Sequence, residues 1–449
     1  MGEVKKEEKK ITRRDYLKYT GAAIGGLAVG GALGYLAVPP KTEIIEKTVI
    51  PAREIPLGNW KIGIELFQTG AAAVWFGEPS RKEAELLIDQ INAEGGILGR
   101  KITPIFRDEG KTTDDAVREF RKLALEDKVD VIIGIISSGN VLACAPVAEE
   151  LHQFFITFDA STHRLFWPEG KRYRYVFRSE EGTIMQNIPA ALLIKKYYPN
   201  IKTIAHIDQD YAYGRDSWYV FSLALKKLMP DVEVVYEGWP PLFAGDYTAH
   251  ISAILAAKPD MVYTSMWGGD ASTFIQQAKE MGLFKVTKLI GTALEPSFPA
   301  LGKDFPEGVI AAPQGAHLPN YPGPQWPLCK KFYEDYWARY GEYVTYPAQH
   351  MWQGIMLFKH AAERAAAIVG GFPKIEEIID AVPGIAFPTP SGYGMVREDH
   401  EWLETCAFGW TKRWDKPPYV ILDPIEAFPV ELIQKPVGVT LEDWIASWP

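Results

Sequence analysis

The stretch Val129-Asp-Val-Ile-Ile-Gly-Ile-Ile136 decides the fold. Its apolar residues run on without alternation, which predicts a strand covered on both faces. Such strands belong to parallel sheets flanked by helices. Ser137-Ser138-Gly139-Asn140 follows, and then a helical pattern over 141–152. A strand that ends in a polar turn and opens a helix is one βα unit of a wound sheet.

The unit repeats on both sides. KIGIELF (61–67) is the first strand. A helix over 80–94 follows, with Ala84, Leu87, Ile88 and Ile91 at helical spacing, Pro79 in its first turn and Gly95-Gly96 at its stop. KITPIFRD (101–108) precedes a helix over 114–127, and FFITF (154–158) closes the series. After Arg178 the alternation restarts, with strands near 201–207, 232–236, 260–265 and 286–291. Helices fall between them near 183–197, 214–229, 247–257 and 270–281. Beyond 315 come long helices near 326–340 and 346–368, then strand-like residues broken by Gly and Pro over 384–424.

The expected fold is α/β, with two wound parallel-sheet lobes joined by a multi-strand hinge. Lobe I takes residues 60–178 plus 315–385, and lobe II takes 179–314 plus 386–449. Ligands bind off the carboxyl ends of such strands, so a cleft between the lobes is the expected site.

The first residues carry an address. Thr12-Arg13-Arg14-Asp15-Tyr16-Leu17-Lys18 precedes an uncharged, glycine-rich run from Tyr19 to Val38. A charged region before an apolar one is an export signal, and the paired arginines match the twin-arginine pattern. No clean cleavage site stands out, so a retained membrane tether is the other outcome at 1–38. Residues 39–59 carry four prolines and read as a spacer.

Composition sets outer limits. The chain has 449 residues, 47% hydrophobic and 23% charged, which suits a soluble globular protein. Its net charge is −9, and residues 1–18 carry +3, which leaves −12 for the remainder. That balance argues against nucleic acid as a partner. Cys144, Cys329 and Cys406 are too few for a disulfide scaffold, although a Cys329–Cys406 bridge stays open. No Cys/His ligand spacing points to a metal, and no P-loop, HExxH, GxSxG or intact GxGxxG follows a strand. No cofactor and no catalytic residue are expected. His350 and His360 read as surface or satisfied core residues, whereas His163 and His206 near strand ends are candidates to line the cleft. Of 14 tryptophans, Trp75, Trp167, Trp239 and Trp267 fall in loops, where they suggest an aromatic-rich cleft.

Five segments together resemble one family. They are IGIELFQTGAAAVWFG (62–77), AELLIDQINAEGGILGRKI (84–102), DEGKTTDDAVREFRKL (108–123), VIIGIISSGNVLACAPVAEE (131–150) and DQDYAYGRDS (208–217). In order and spacing they resemble the type I extracytoplasmic solute-binding proteins of ABC importers, in the branched-chain amino acid and amide group. Phe67 or Gln68 stands where that family usually has proline, and 108–123 lacks its proline too. The resemblance implies a receptor that closes on a small carboxylate- or amide-bearing solute of amino-acid-like kind. It also implies an ABC permease in the membrane as partner and an extracytoplasmic location.

Site residues follow position by position. Ser137 and Ser138 lie at a helix N-terminus, where free N–H groups favour a ligand carboxylate or simply a capped helix. Ala160 and Thr162, with Ser161 between them, match positions that contact the ligand's carboxylate or amine. Phe76 matches an aromatic along the ligand side chain, with Trp75 adjacent. Tyr213 matches the tyrosine that closes from the opposite wall, and Tyr211 is its rival. Trp267 matches a loop contact, where Asp270 either faces the cleft or caps a helix. Glu295 is the nearby acid for a ligand ammonium, displaced from the family's usual place. The competing reading is an exported α/β hydrolase or oxidoreductase. A sensory module is a third, and would need a further membrane or signalling segment. Urea, amides and small aromatic acids remain alternative ligands.

Overall fold

The computed structural model describes residues 53–449. The address at 1–38 and the spacer up to 52 lie outside the described residues. Among the described residues, no helix is long and apolar enough to cross a membrane.

The first sheet comprises β1 (Trp60–Leu66), β2 (Ile102–Asp108), β3 (Val131–Gly134), β4 (Phe155–Thr157) and β5 (Val176–Arg178). Its order is β2-β1-β3-β4-β5, and every pair is parallel. All four residues of β3 are buried, as its unbroken apolar run requires. The strand stops at Gly134 because Ile135 takes φ +73°. A β-branched residue in that region is strained by about 1–3 kcal/mol. Full burial of Ile135 and a 2.9 Å bond from its N–H to the Glu65 carbonyl hold it there. The turn swings the chain off the sheet, and the next helix starts at Ser138.

Helices α1 (Glu78–Ala93), α2 (Thr113–Lys122) and α3 (Ser138–Leu151) connect these strands. Thr112 and Asp115 form a capping box that starts α2. The chain then enters its second wound unit through α4 (Thr183–Tyr197). Strands β6 (Thr203–Ile207), β7 (Glu233–Gly238), β8 (Met261–Thr264), β9 (Lys288–Gly291) and β10 (Ile310–Ala311) follow. They alternate with α5 (Ala212–Leu228), α6 (Thr248–Ala257) and α7 (Gly268–Glu280).

Helices α8 (Pro327–Tyr340) and α9 (Tyr346–Val369) return to the first sheet, where Phe332, Tyr336, Ile355 and Phe358 share a core with Ile64 and Ile133. Next come β11 (Ala386–Thr389), β12 (Gly392–Val396) and β13 (Trp402–Leu403), a small antiparallel sheet. The last strands, β14 (Cys406–Arg413) and β15 (Val420–Phe428), complete a second sheet of order β15-β14-β10-β9-β8-β6-β7.

The small sheet bears on one expected boundary. Residues from 386 were placed with the second lobe, but Phe387, Val396 and Trp402 pack in the first core. Trp326 Nε1 also donates to the Thr389 carbonyl at 2.7 Å. The chain reaches the second core only at Leu403 and Cys406. Large aromatic side chains on β11 and β13 override the simple order of the chain. The three cysteines are buried and unbridged, with Cys329 and Cys406 in different cores.

Three segments therefore cross between the lobes. They are 179–182 after β5, 312–326 after β10, and 404–405 after β13.

Gly77 fixes the loop that leaves β1. A Cβ at this position would lie 1.6 Å from the Phe67 carbonyl oxygen, which is backbone and cannot step aside. Gly77→Ala should destabilise the fold by about 1–3 kcal/mol. The measurement is the urea unfolding midpoint, and an unchanged midpoint contradicts this close approach.

Candidate functional site

The two sheets present the carboxyl ends of their parallel strands to one another. A narrow cavity lies there. Seven strand ends contribute to its wall. Phe76 follows β1, Ile136 and Ser138 follow β3, and Asp159 and Ser161 follow β4. Tyr211 and Tyr213 follow β6, Trp267 follows β8, Ala293 follows β9, and Gln314 follows β10. Tyr346, in the first turn of α9, completes it.

The walls are aromatic. The Phe76 ring meets Trp267 edge-on at 4.7 Å and Tyr346 at 5.7 Å. Trp267 Nε1 donates to the Tyr211 hydroxyl at 2.6 Å, so both rings are oriented. Gln186 of α4 joins opposite walls. It accepts from the Tyr213 hydroxyl at 2.9 Å and donates to Ser161 Oγ at 3.0 Å.

Among the described lining residues Asp159 is the one ionisable acid, and there is no Lys, Arg or His. Asp159 Oδ1 bonds His350 Nδ1 at 2.8 Å, while Oδ2 is buried without a partner. Burial pushes this carboxyl up to about 6, although His350 pulls the other way. Glu295 lies behind the wall. Its Oε2 accepts from the Tyr346 N–H at 3.2 Å, its Oε1 has no partner, and burial pushes it up to about 8.

The structure places the residues singled out in the sequence as follows. Phe76, Ser138, Ser161, Tyr213 and Trp267 line the cavity together. Ser137, Ala160, Thr162 and Glu295 are buried beside it but are not part of its wall. Thr162 spends its hydroxyl across the cleft, donating to Asp216 Oδ2 at 2.5 Å. Arg164 reaches the other oxygen of Asp216 at 2.7 Å, and the pair latches the lobes. Asp270 faces away, accepting from Gln209 Nε2 and the Phe243 N–H at 2.7 and 2.8 Å. Tyr211 and Tyr213 both line the wall, so neither excludes the other.

The N-terminus of α3 is partly filled from within. Glu109 accepts from the N–H groups of Ile136 and Ser137 and from Asn140 Nδ2, each at 2.9 Å. The first helical residue, Ser138, remains on the cavity wall. His163 and His206 do not line the cleft. His163 bonds Thr183 Oγ1, and His206 bonds Asp208 at 2.8 Å beneath Trp218 and Trp239. Trp75 packs across the lobes on Gly269, where a Cβ would lie 3.2 Å from its indole nitrogen.

Asp159, Gln314, Tyr346 and Gln186 were not singled out from the sequence. Asp159 directly precedes the Ala160–Thr162 segment, so its strand-end position could have found it. The others come from the hinge, a distant helix and the opposite lobe. One group, Glu181, His350 and Glu404, brings possible metal-ligand atoms within 4.8 Å of one another. His350 does not suit a metal. Nδ1 faces Asp159, and Nε2 faces the Gln314 carbonyl at 3.0 Å, so both nitrogens carry hydrogen and neither keeps a lone pair.

Two wound sheets that meet at a small polar and aromatic cavity define a two-lobe solute-binding protein. The chain belongs to the periplasmic binding protein family, whose pattern matches residues 59–410. A relative from Brucella abortus (strain 2308), Leu/Ile/Val-binding protein homolog 8, is 26% identical over 387 residues, covering 82% of this chain and 89% of its own. Among solved structures, the fold is shared with an ABC-transporter solute-binding protein from Rhodopseudomonas palustris BisB5 in complex with 3,4-dihydroxybenzoic acid. There the TM-score is 0.73 and the identity 23%, over 85% of this chain and 99% of the other. It is also shared with the isoleucine complex of a branched-chain amino acid transporter substrate-binding protein from Streptococcus pneumoniae, at TM-score 0.67 and 19% identity over 82% and 99%.

Buried acids make stability pH-dependent. Burial raises Glu109 to about 7 and Glu295 to about 8, from an ordinary 4.5. Between about 4.5 and 8 the folded state keeps protons that the unfolded state has released, so stability falls as pH rises. The thermal midpoint should be lower at pH 8.5 than at pH 5, and Glu295→Gln should flatten the slope. A midpoint that rises over this range contradicts the assignment.

Proposed function

We propose that the protein is an extracytoplasmic receptor that captures a small amino-acid-like zwitterion and presents it to an ABC permease. One observation carries this reading. The cavity offers an unpartnered Asp159 oxygen and no basic side chain among its described lining residues. A ligand ammonium would satisfy that oxygen, and charge-assisted bonds of this kind contribute about 1.5–3 kcal/mol. The ligand carboxylate would lie against Ser138 and Ser161, near the first turn of α3. Phe76, Trp267 and Tyr346 would pack on an apolar side chain, and Tyr213 would close from lobe II. Micromolar binding needs about 8 kcal/mol, within reach of these contacts in a dry cleft.

A small aromatic acid is the second reading, supported by the five aromatic residues of the wall. A relative named for Leu, Ile and Val and a structural neighbour holding dihydroxybenzoate support one reading each. On either reading the work is binding and presentation. The amended lobes are 60–178 plus 315–403 and 179–314 plus 404–449. Residues 1–38 would export the chain by the twin-arginine route, or stay on it as a membrane tether.

Thermal shift and calorimetry across leucine-like amino acids, amides, urea and small aromatic acids test the ligand class. An amino acid should bind without turnover, and Asp159→Asn should weaken it at least about tenfold, or 1.4 kcal/mol. Binding of an aromatic acid alone, unaffected by Asp159→Asn, favours the second reading. Consumption of the solute by the protein alone overturns the receptor. Tyr213→Ala should weaken binding by a similar factor without unfolding, and unchanged affinity removes Tyr213 from the site.

A further inference from the structure

The three lobe-crossing segments converge on one face of α9. Gln349, His350 and Gln353 form that face, and none is more than 1% exposed. Gln349 accepts from the Ala316 N–H at 2.6 Å, on the second crossing. Gln353 donates to Glu404 at 3.0 Å, on the third. His350 Nε2 meets the Gln314 carbonyl at 3.0 Å on the second crossing and Glu181 Oε2 at 3.4 Å on the first. Its Nδ1 holds Asp159 on the cavity wall. Gln314, whose carbonyl His350 engages, lines the same wall.

We propose that His350, as an imidazolium, is the positioning residue that couples the hinge to the ligand cleft. It supplies the cation that Asp159 and Glu181 face, while Arg178 pairs with Glu180, and it holds two wall residues at registers that suit the closed lobes. This rests on the cleft being the solute site. Both of its nitrogens face acceptors, so the ring can satisfy them only when doubly protonated. Burial opposes that charge, but the bonds to Asp159 and Glu181 outweigh it and hold the ring well above its ordinary 6.5. The groups that face it are Asp159 beyond β4, Glu180 and Glu181 on the first crossing, Glu295 beyond β9, and Glu404 on the third crossing. Glu404, raised by burial and by Glu181, serves as the protonated partner of the Glu181 carboxylate. A neutral ring at 350 would leave one acceptor unserved and an acid without its counter-charge.

The test reads the hinge without needing a ligand. Spin labels on exposed Asp114 and Glu280, introduced as Asp114→Cys and Glu280→Cys in the full chain, report the separation of the lobes. His350→Gln should shift the distance distribution toward a longer, broader one at pH 7. Alkaline pH should produce the same shift in the wild type and a smaller one in His350→Gln. With L-leucine as probe, His350→Gln should raise Kd about tenfold, through faster dissociation. If His350→Gln does not fold, Glu181→Gln removes one tie and should give a smaller shift in the same direction. Distances unchanged in the folded variant overturn the proposal. Failure of wild type to bind L-leucine counts against the ligand reading, and the distances still decide the role of His350.

Discussion

An imidazolium buried where three chain segments cross must be neutralised by its surroundings, because an unpaired ion in the interior costs several kcal/mol. His350 meets that demand with Asp159, Glu181 and the Gln314 carbonyl. The partners come from a strand end of lobe I and from two separate crossings. Electrostatic satisfaction at one ring therefore fixes the relative position of segments that no single sheet connects. The Glu404 carboxyl brings in the third crossing through Gln353 and Ser391. Packed aliphatic residues could join the same segments, but they would not orient a carboxylate toward the cleft.

The cleft inherits this order. Parallel sheets deliver loops to the same end of every strand, so contributors far apart in sequence meet in one narrow cleft. The walls are closed by aromatic contacts between lobes, chiefly Phe76 on Trp267 and Trp75 on Gly269. The Thr162–Asp216–Arg164 latch adds polar closure at the rim. A receptor that releases its solute must break these contacts, so each is a restraint on opening as well as a support for the closed form.

The wound sheets could be read from the chain because most strands and helices are long enough to show a period or an unbroken apolar run. The helix over 183–197 and the buried strand within 129–136 are examples. β5 and β10, with three and two residues, are too short to carry any pattern. The packing of the 386–403 sheet depends on Phe387 and Trp402, which periodicity does not reveal. At the site, Phe76, Ser138, Ser161, Tyr213 and Trp267 could be placed because strand-end loops carry them. Thr162 could not, since its hydroxyl is claimed by Asp216 on the other lobe. Tyr346 and Gln314 lie on α9 and a crossing, far from any strand-end motif. His350 read as a surface or satisfied core histidine; it is buried and bonded, and only the fold brings its partners together.

Trp267 stands in the cavity wall against Phe76 and Tyr211, so its indole reports directly on occupancy. A fluorescence titration of the wild type and Trp267→Phe with L-amino acids is the most direct measurement. A saturable change at one solute per chain, lost in Trp267→Phe while calorimetric binding survives in weakened form, is the predicted result. No saturable change with an amino acid or an aromatic acid, in a chain shown to be folded, would contradict a solute site in this cleft.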